Sequence, residues 1–112
     1  MTRIDPETLA SLQSFGGPEF FAELIDIYIT DAPPRIETMR MAIAEGDAAK
    51  LAFAAHALKS SSGNVGATAV RELCADLEAN TLAGATEKLA ELEREYVDAV
   101  KALRAIVSTN GA

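Results

Sequence analysis

His56 is the single histidine of a chain of 112 residues, and it lies three positions before Lys59 in the run Ala55-His56-Ala57-Leu58-Lys59-Ser60-Ser61-Ser62-Gly63-Asn64-Val65-Gly66-Ala67. An imidazole in such a setting can serve as nucleophile, general base or metal ligand. The residues after Lys59 are weak helix formers. Ser60, Ser61, Ser62 and Gly63 together cost roughly 2 kcal/mol against alanine in a helix interior. Two readings account for them. Either the helix simply ends there, or small side chains leave room for another protein's surface and offer hydroxyls to phosphate oxygens.

Several chemistries lack their residues. A metal site is poorly served, because the one histidine and the one cysteine, Cys74, fall on different predicted helices without a paired-His or Glu-x-x-His spacing. A hydrolytic triad lacks a nucleophile elbow, and the serines nearest His56 sit on its own helix. Neither a P-loop nor a glycine-rich nucleotide fingerprint occurs. Nucleophilic chemistry completed by a partner is what remains.

The elements that must position His56 read as helices. Asp5-Pro6-Glu7 is a helix-start signature for a short helix to about Gln13. Gly16-Gly17-Pro18 ends it and starts the next, whose apolar face is Phe20, Phe21, Leu24, Ile25, Ile27 and Tyr28. Pro33 and Pro34 remove two backbone donors, so a kink or restart is expected there with Asp31 as its cap. Ile36, Met39 and Ile43 lead to a stop at Gly46 and a new cap at Asp47. The next helix spans about Ala48 to Ser62, and a turn follows at Asn64-Val65-Gly66. Val70, Leu73, Cys74 and Leu77 mark a third stripe ending near Asn80. A connection from Thr81 to Gly84 leads to a last helix that runs to about Val107, with 108–112 as a frayed tail. The fold class predicted is all-α: an antiparallel four-helix bundle with an additional short N-terminal helix, as one domain over 1–112.

Helix geometry orients the histidine. At about 100° per residue, Leu58, Leu51 and Val65 lie roughly 200°, 220° and 180° from His56. The apolar face is therefore opposite, and His56 faces solvent beside Ala49, Ala52, Lys59, Ser60 and Gly63, with Phe53 about 60° away.

Composition narrows the setting. Nearly half the residues are apolar and few are aromatic, a helix-favouring mix. Seventeen acidic residues against 10 basic ones give a net charge of −7, which argues against nucleic acid or an anionic membrane as a partner. A lone cysteine and a start without a secretory apolar run predict a reducing, cytoplasmic location. The start and the short tail predict a free-standing, soluble protein.

The string from Ala55 to Ala67 resembles the signature of the histidine-containing phosphotransfer (HPt) family of multistep two-component phosphorelays. Phe20-Phe21-Ala22-Glu23-Leu24-Ile25, Ala42-Ile43-Ala44-Glu45-Gly46-Asp47 and Leu73-Cys74-Ala75-Asp76-Leu77-Glu78 also resemble family positions. The resemblance implies that His56 accepts a phosphoryl group at Nε2 from a receiver aspartyl phosphate and passes it to another receiver aspartate. It implies that Lys59 offsets the phosphoryl charge. Glu78 falls near where family members hold the other imidazole nitrogen, so a ring-orienting role is expected there; an ordinary surface glutamate is the alternative. Ser60 replaces the family's usual glycine, and it either contacts the phosphoryl group or narrows receiver access.

Docking is expected on Ala49, Ala52, Phe53, Ser60 and Gly63, with Ile4 or Leu9 as additions. The implied partners are response-regulator receiver domains and a hybrid histidine kinase, with no nucleic acid and no membrane. The protein is expected to be a monomeric phosphocarrier without autokinase activity and without a cofactor or metal of its own, any Mg²⁺ belonging to the receiver. A non-catalytic adaptor that binds receivers, or an HPt module cut from a hybrid or chemotaxis kinase, are the alternatives.

Overall fold

The computed structural model describes residues 4–79 and 82–111. Asp5 starts the first helix, α1 (Pro6–Glu45), by accepting hydrogen bonds from the Thr8 hydroxyl (2.6 Å) and the Glu7 amide (3.2 Å). The Thr8 hydroxyl, and next the Glu7 amide, hold the Asp5 carboxyl below the usual carboxylate range. Pro6 occupies a first-turn position that has no intrahelical N–H bond to lose. At Gly17 the backbone leaves helical angles (φ 78°, ψ −177°). That region is open to glycine and costly for other residues. Gly17 thus divides α1 into a short arm, 6–16, and a long arm, 18–45, so the additional N-terminal helix runs about one turn beyond the expected Gln13.

Of the kink or restart expected at Pro33-Pro34, the restart does not occur. Gly17 is the one residue of α1 with non-helical angles, and Asp31 lies inside the helix rather than at a cap. Two features explain this. Both prolines are exposed, on the side where a helix can tilt its carbonyls outward. The carbonyl of Ile29, which would have taken the missing Pro33 N–H, instead accepts a hydrogen bond from the Tyr96 hydroxyl of α4 (Ala85–Gly111) at 3.4 Å.

Gly46 closes α1 in the left-handed region (φ 69°), and its N–H bonds back to Ala42 and Ile43. Asp47 then caps α2 (Ala48–Asn64) by accepting from the Lys50 amide at 3.0 Å. A turn at 65–67 leads to α3 (Thr68–Ala79), and the expected end at Asn80 and connection from Thr81 fall outside the described residues. α4 continues past the expected Val107. Ile106 and Val107 pack against the core, and Thr109 donates its hydroxyl to the Ala105 carbonyl at 2.9 Å.

The helices meet in cyclic order, α1 on α2, α2 on α3, α3 on α4 and α4 on α1, whereas α2 and α4 stand diagonally apart. This is the antiparallel bundle. Phe21, Ile25, Tyr28, Met39, Leu51, Leu58, Leu77, Leu92 and Leu103 are all but inaccessible at its centre. Each large apolar side chain buried this way contributes roughly 1.5–3 kcal/mol. No helix of the described residues is long and apolar enough to cross a membrane.

The short arm is tied to the histidine helix through Gly66. The Asp5 amide donates to the Gly66 carbonyl at 2.8 Å, and Ile4 forms an isolated antiparallel bridge with Ala67. Gly66 has φ 77°, and a Cβ there would lie 3.3 Å from the Asp5 amide nitrogen, the Asp5 carbonyl oxygen and the Thr8 Cβ. Gly66→Ala is expected to lower stability by about 2 kcal/mol through backbone strain and this crowding. Urea unfolding at unchanged m-value checks it; a midpoint equal to that of the parent chain would show that Gly66 is not required.

Candidate functional site

His56 lies in the middle of α2, on the face opposite Leu51 and Leu58. Its side chain is 60% exposed. Across the α2–α3 groove stands Glu78, near the end of α3, with one carboxylate oxygen for each of two neighbours. Oε2 lies 2.7 Å from His56 Nδ1, and Oε1 accepts from Lys59 Nζ at 2.6 Å. The Lys59 hydrogen bond, ahead of that from His56, holds the Glu78 carboxyl below its ordinary value. Glu78 is therefore ionised at neutral pH and can only accept. This carboxylate and its two bonds persist above the ordinary carboxylate range and are lost as pH falls through the lowered pKa.

An accepting carboxylate at Nδ1 requires the ring proton to be there. In the neutral imidazole the lone pair then resides on Nε2. Nε2 has no hydrogen-bond partner among the described residues. The site thus presents an accessible nitrogen nucleophile whose tautomer is set from behind. The Lys59 and Glu78 side chains keep 31% and 29% of their surface accessible, and solvent screening leaves such a pair little weight in stability. Its consequence is geometric.

The structure brings together His56, Lys59 and Glu78. Ser60 is exposed on the same side of α2, with its hydroxyl unbonded among the described residues. Ala49 is exposed, Ala52 and Gly63 are half-buried, and Phe53 is 76% exposed. Ile4 and Leu9 on the short arm are half-buried, packed partly against the core.

Ser62 departs from the reading of the serine run as hydroxyls available to phosphate. It is fully buried, and its Oγ lies 2.8 Å from the Tyr28 hydroxyl of α1. Burial, more than this hydrogen bond relieves, pushes the Tyr28 phenol up. The bond couples α2 to α1, and removing one partner would leave a buried hydroxyl unpaired, at a cost of about 1–3 kcal/mol. Ser61 also turns inward, donating to the Leu58 carbonyl at 3.2 Å. Cys74 is fully buried beneath the site, and burial raises its thiol to about 12. It stays protonated and unreactive at neutral pH.

Two neighbourhoods of the face were not visible from α2 alone. A groove of about 330 Å³ beside Phe53 is walled on the α1 side by Asp31, Pro34, Arg35 and Thr38. At the other end, Arg71 of α3 lies against Gly63. Their phase relative to His56 depends on how three helices pack, which no single stripe encodes.

The comparisons agree with the helical bundle. The family model for the Hpt domain matches residues 23–106. Histidine-containing phosphotransfer protein 2 of Arabidopsis thaliana is 30% identical over 95 residues, covering 79% of this chain. The matched region spans 61% of that relative's length. The crystal structure of histidine-containing phosphotransfer protein B from Pseudomonas aeruginosa PAO1 superposes with a TM-score of 0.89 at 28% identity, over 96% of both chains. With the family model covering three quarters of its length, the bundle and its exposed histidine belong to a member of the Hpt domain family.

Proposed function

We propose that the chain is a histidine phosphotransfer protein of a multistep two-component phosphorelay, taking a phosphoryl group from a receiver aspartyl phosphate and passing it to another receiver aspartate. The observation that carries this reading is the imidazole, 60% exposed, held through Nδ1 by Glu78 with Nε2 unbonded among the described residues. The Nε2 lone pair attacks phosphorus in line. An N–P bond forms as the P–O bond to the receiver carboxylate breaks, and that bonding pair leaves with the carboxylate. The proton on Nδ1 stays bonded to Glu78, whose negative charge offsets the positive charge on the phosphorylated ring. Lys59, one helical turn from His56, exchanges its bond to Glu78 for the arriving phosphoryl oxygens. The reverse attack by a second receiver's aspartate returns the system to its starting state.

The partners on this reading are receiver domains and an upstream hybrid kinase, and any Mg²⁺ is the receiver's. The chain acts as a cytoplasmic monomer without autokinase activity. Phe53, Ala49, Ala52, Ser60 and Gly63 form the small, accessible surface that a transient complex requires. Incubation with receiver domains phosphorylated by acetyl phosphate is expected to label the chain with an acid-labile, alkali-stable phosphate. Receivers that bind without labelling it would favour the adaptor reading and overturn this one.

A further inference from the structure

Gly63 follows His56 by seven residues on α2, and Arg71 precedes Glu78 by seven on α3. Seven residues are nearly two helical turns, about 10.5 Å along the axis with a residual rotation of only about 20°. The antiparallel pair Gly63/Arg71 therefore repeats the pair His56/Glu78 farther along the same face. The contact is intimate: a Cβ on Gly63 would lie 3.1 Å from Arg71 Cδ. The absent side chain of Gly63 is the seat across which the Arg71 stem lies.

Arg71 is exposed, and its guanidinium forms no ion pair or hydrogen bond among the described residues. The acidic group lining the same cavity, Asp5, is occupied in capping α1. Lys59, the cation nearest His56 on α2, is occupied by Glu78. On a chain of net charge −7, a pre-seated arginine that is unpaired among the described residues, two helical turns along the face from His56, is a local inversion of sign. Screening limits its reach to about 8–10 Å at physiological salt, so it acts on the molecule docked at His56 rather than on the distant field.

We infer that Arg71, seated on Gly63, is a recognition residue for the receiver domain, pairing with an acidic side chain on the receiver roughly 10 Å from the phosphoryl-bearing aspartate. This rests on the phosphotransfer reading and adds to it the charge that the receiver must present. It also gives Gly63 a reason distinct from clearance for the partner. Alanine at an interior helical position is ordinarily favoured over glycine, whereas here its Cβ pushes the Arg71 stem off its seat by a few tenths of an ångström.

The test uses the receiver that labels the wild-type chain fastest, phosphorylated with acetyl phosphate, and reads apparent KM and maximal transfer rate separately. Arg71→Glu is expected to raise KM about fivefold or more at low salt, with a maximal rate within about twofold of wild type and the difference fading above about 0.5 M salt. Arg71→Lys is expected to restore most of the affinity. Gly63→Ala is expected to raise KM about twofold to threefold without loss of stability, and to have no further effect in the Arg71→Glu background. Lys101→Glu, on α4 away from α2, makes the same change of net charge and is expected to leave KM within about twofold. An Arg71→Glu KM within twofold of wild type, or equal shifts for Arg71→Glu and Lys101→Glu, overturns the inference while leaving phosphotransfer standing. A wild-type chain that no receiver labels overturns both.

Discussion

His56→Gln is expected to abolish phosphoryl labelling while leaving the bundle intact. Glutamine retains a polar side chain of similar reach but has no nucleophilic nitrogen, since its amide lone pair is delocalised. The fold has little stake in the imidazole. The ring is mostly exposed, and its one recorded partner, Glu78, keeps the second bond to Lys59. Far-UV circular dichroism and the urea midpoint are expected to match wild type within about 0.5 kcal/mol, the range of surface substitutions. Labelling under identical receiver and acetyl phosphate conditions should drop to background. Residual labelling above background in the variant would assign the acceptor to another residue.

Glu78→Ala carries the next largest effect. Removing the carboxylate frees the ring to rotate, lets either nitrogen hold the proton, and leaves the charge developing on the imidazole unopposed. Groups that orient a reacting imidazole in this manner are worth about 10- to 100-fold when their contribution resembles that of outer-shell partners. The transfer rate at saturating receiver is therefore expected to fall by about that factor, with Glu78→Gln intermediate, because an amide oxygen can still accept from Nδ1–H but brings no charge. The loss should appear in maximal rate rather than in KM, since the carboxylate sits behind the ring on the α3 side. Equal rates for the glutamate and alanine forms would reduce Glu78 to a surface residue that happens to salt-bridge Lys59.

The sequence carried those parts of the fold that depend on local geometry. Asp5 and Asp47 cap helices, Gly46 closes one, and Leu51, Leu58 and Val65 face the core as their spacing requires. Pro33-Pro34 was different, because whether the helix survives depends on a tyrosine hydroxyl from α4 that reaches the Ile29 carbonyl across the bundle. Ser62 was legible in part. It lies about 40° from Leu58 on a helical wheel, hence on the core side, but the poor helix propensity of the serine run is equally that of a frayed helix end. Its partner Tyr28, far away in sequence, was not legible at all.

The site divides the same way. The outward orientation of His56 and its alignment with Lys59 follow from the phase of one helix. That Glu78 serves both residues with separate oxygens, and that Arg71 crosses Gly63, depends on the axial register of α3 against α2. Register between helices is decided by packing of the whole core, which the apolar stripes permit without specifying. The groove beside Phe53 likewise gains its α1 wall at Arg35 only when α1 and α2 pack together.

The most direct measurement of the central claim is ¹⁵N and ³¹P NMR of the uniformly ¹⁵N-labelled chain after transfer from a phosphorylated receiver. The account predicts phosphorus coupled to Nε2 of His56, with Nδ1 still protonated and facing Glu78. Phosphorus coupled to Nδ1, or borne by no histidine nitrogen, would contradict it.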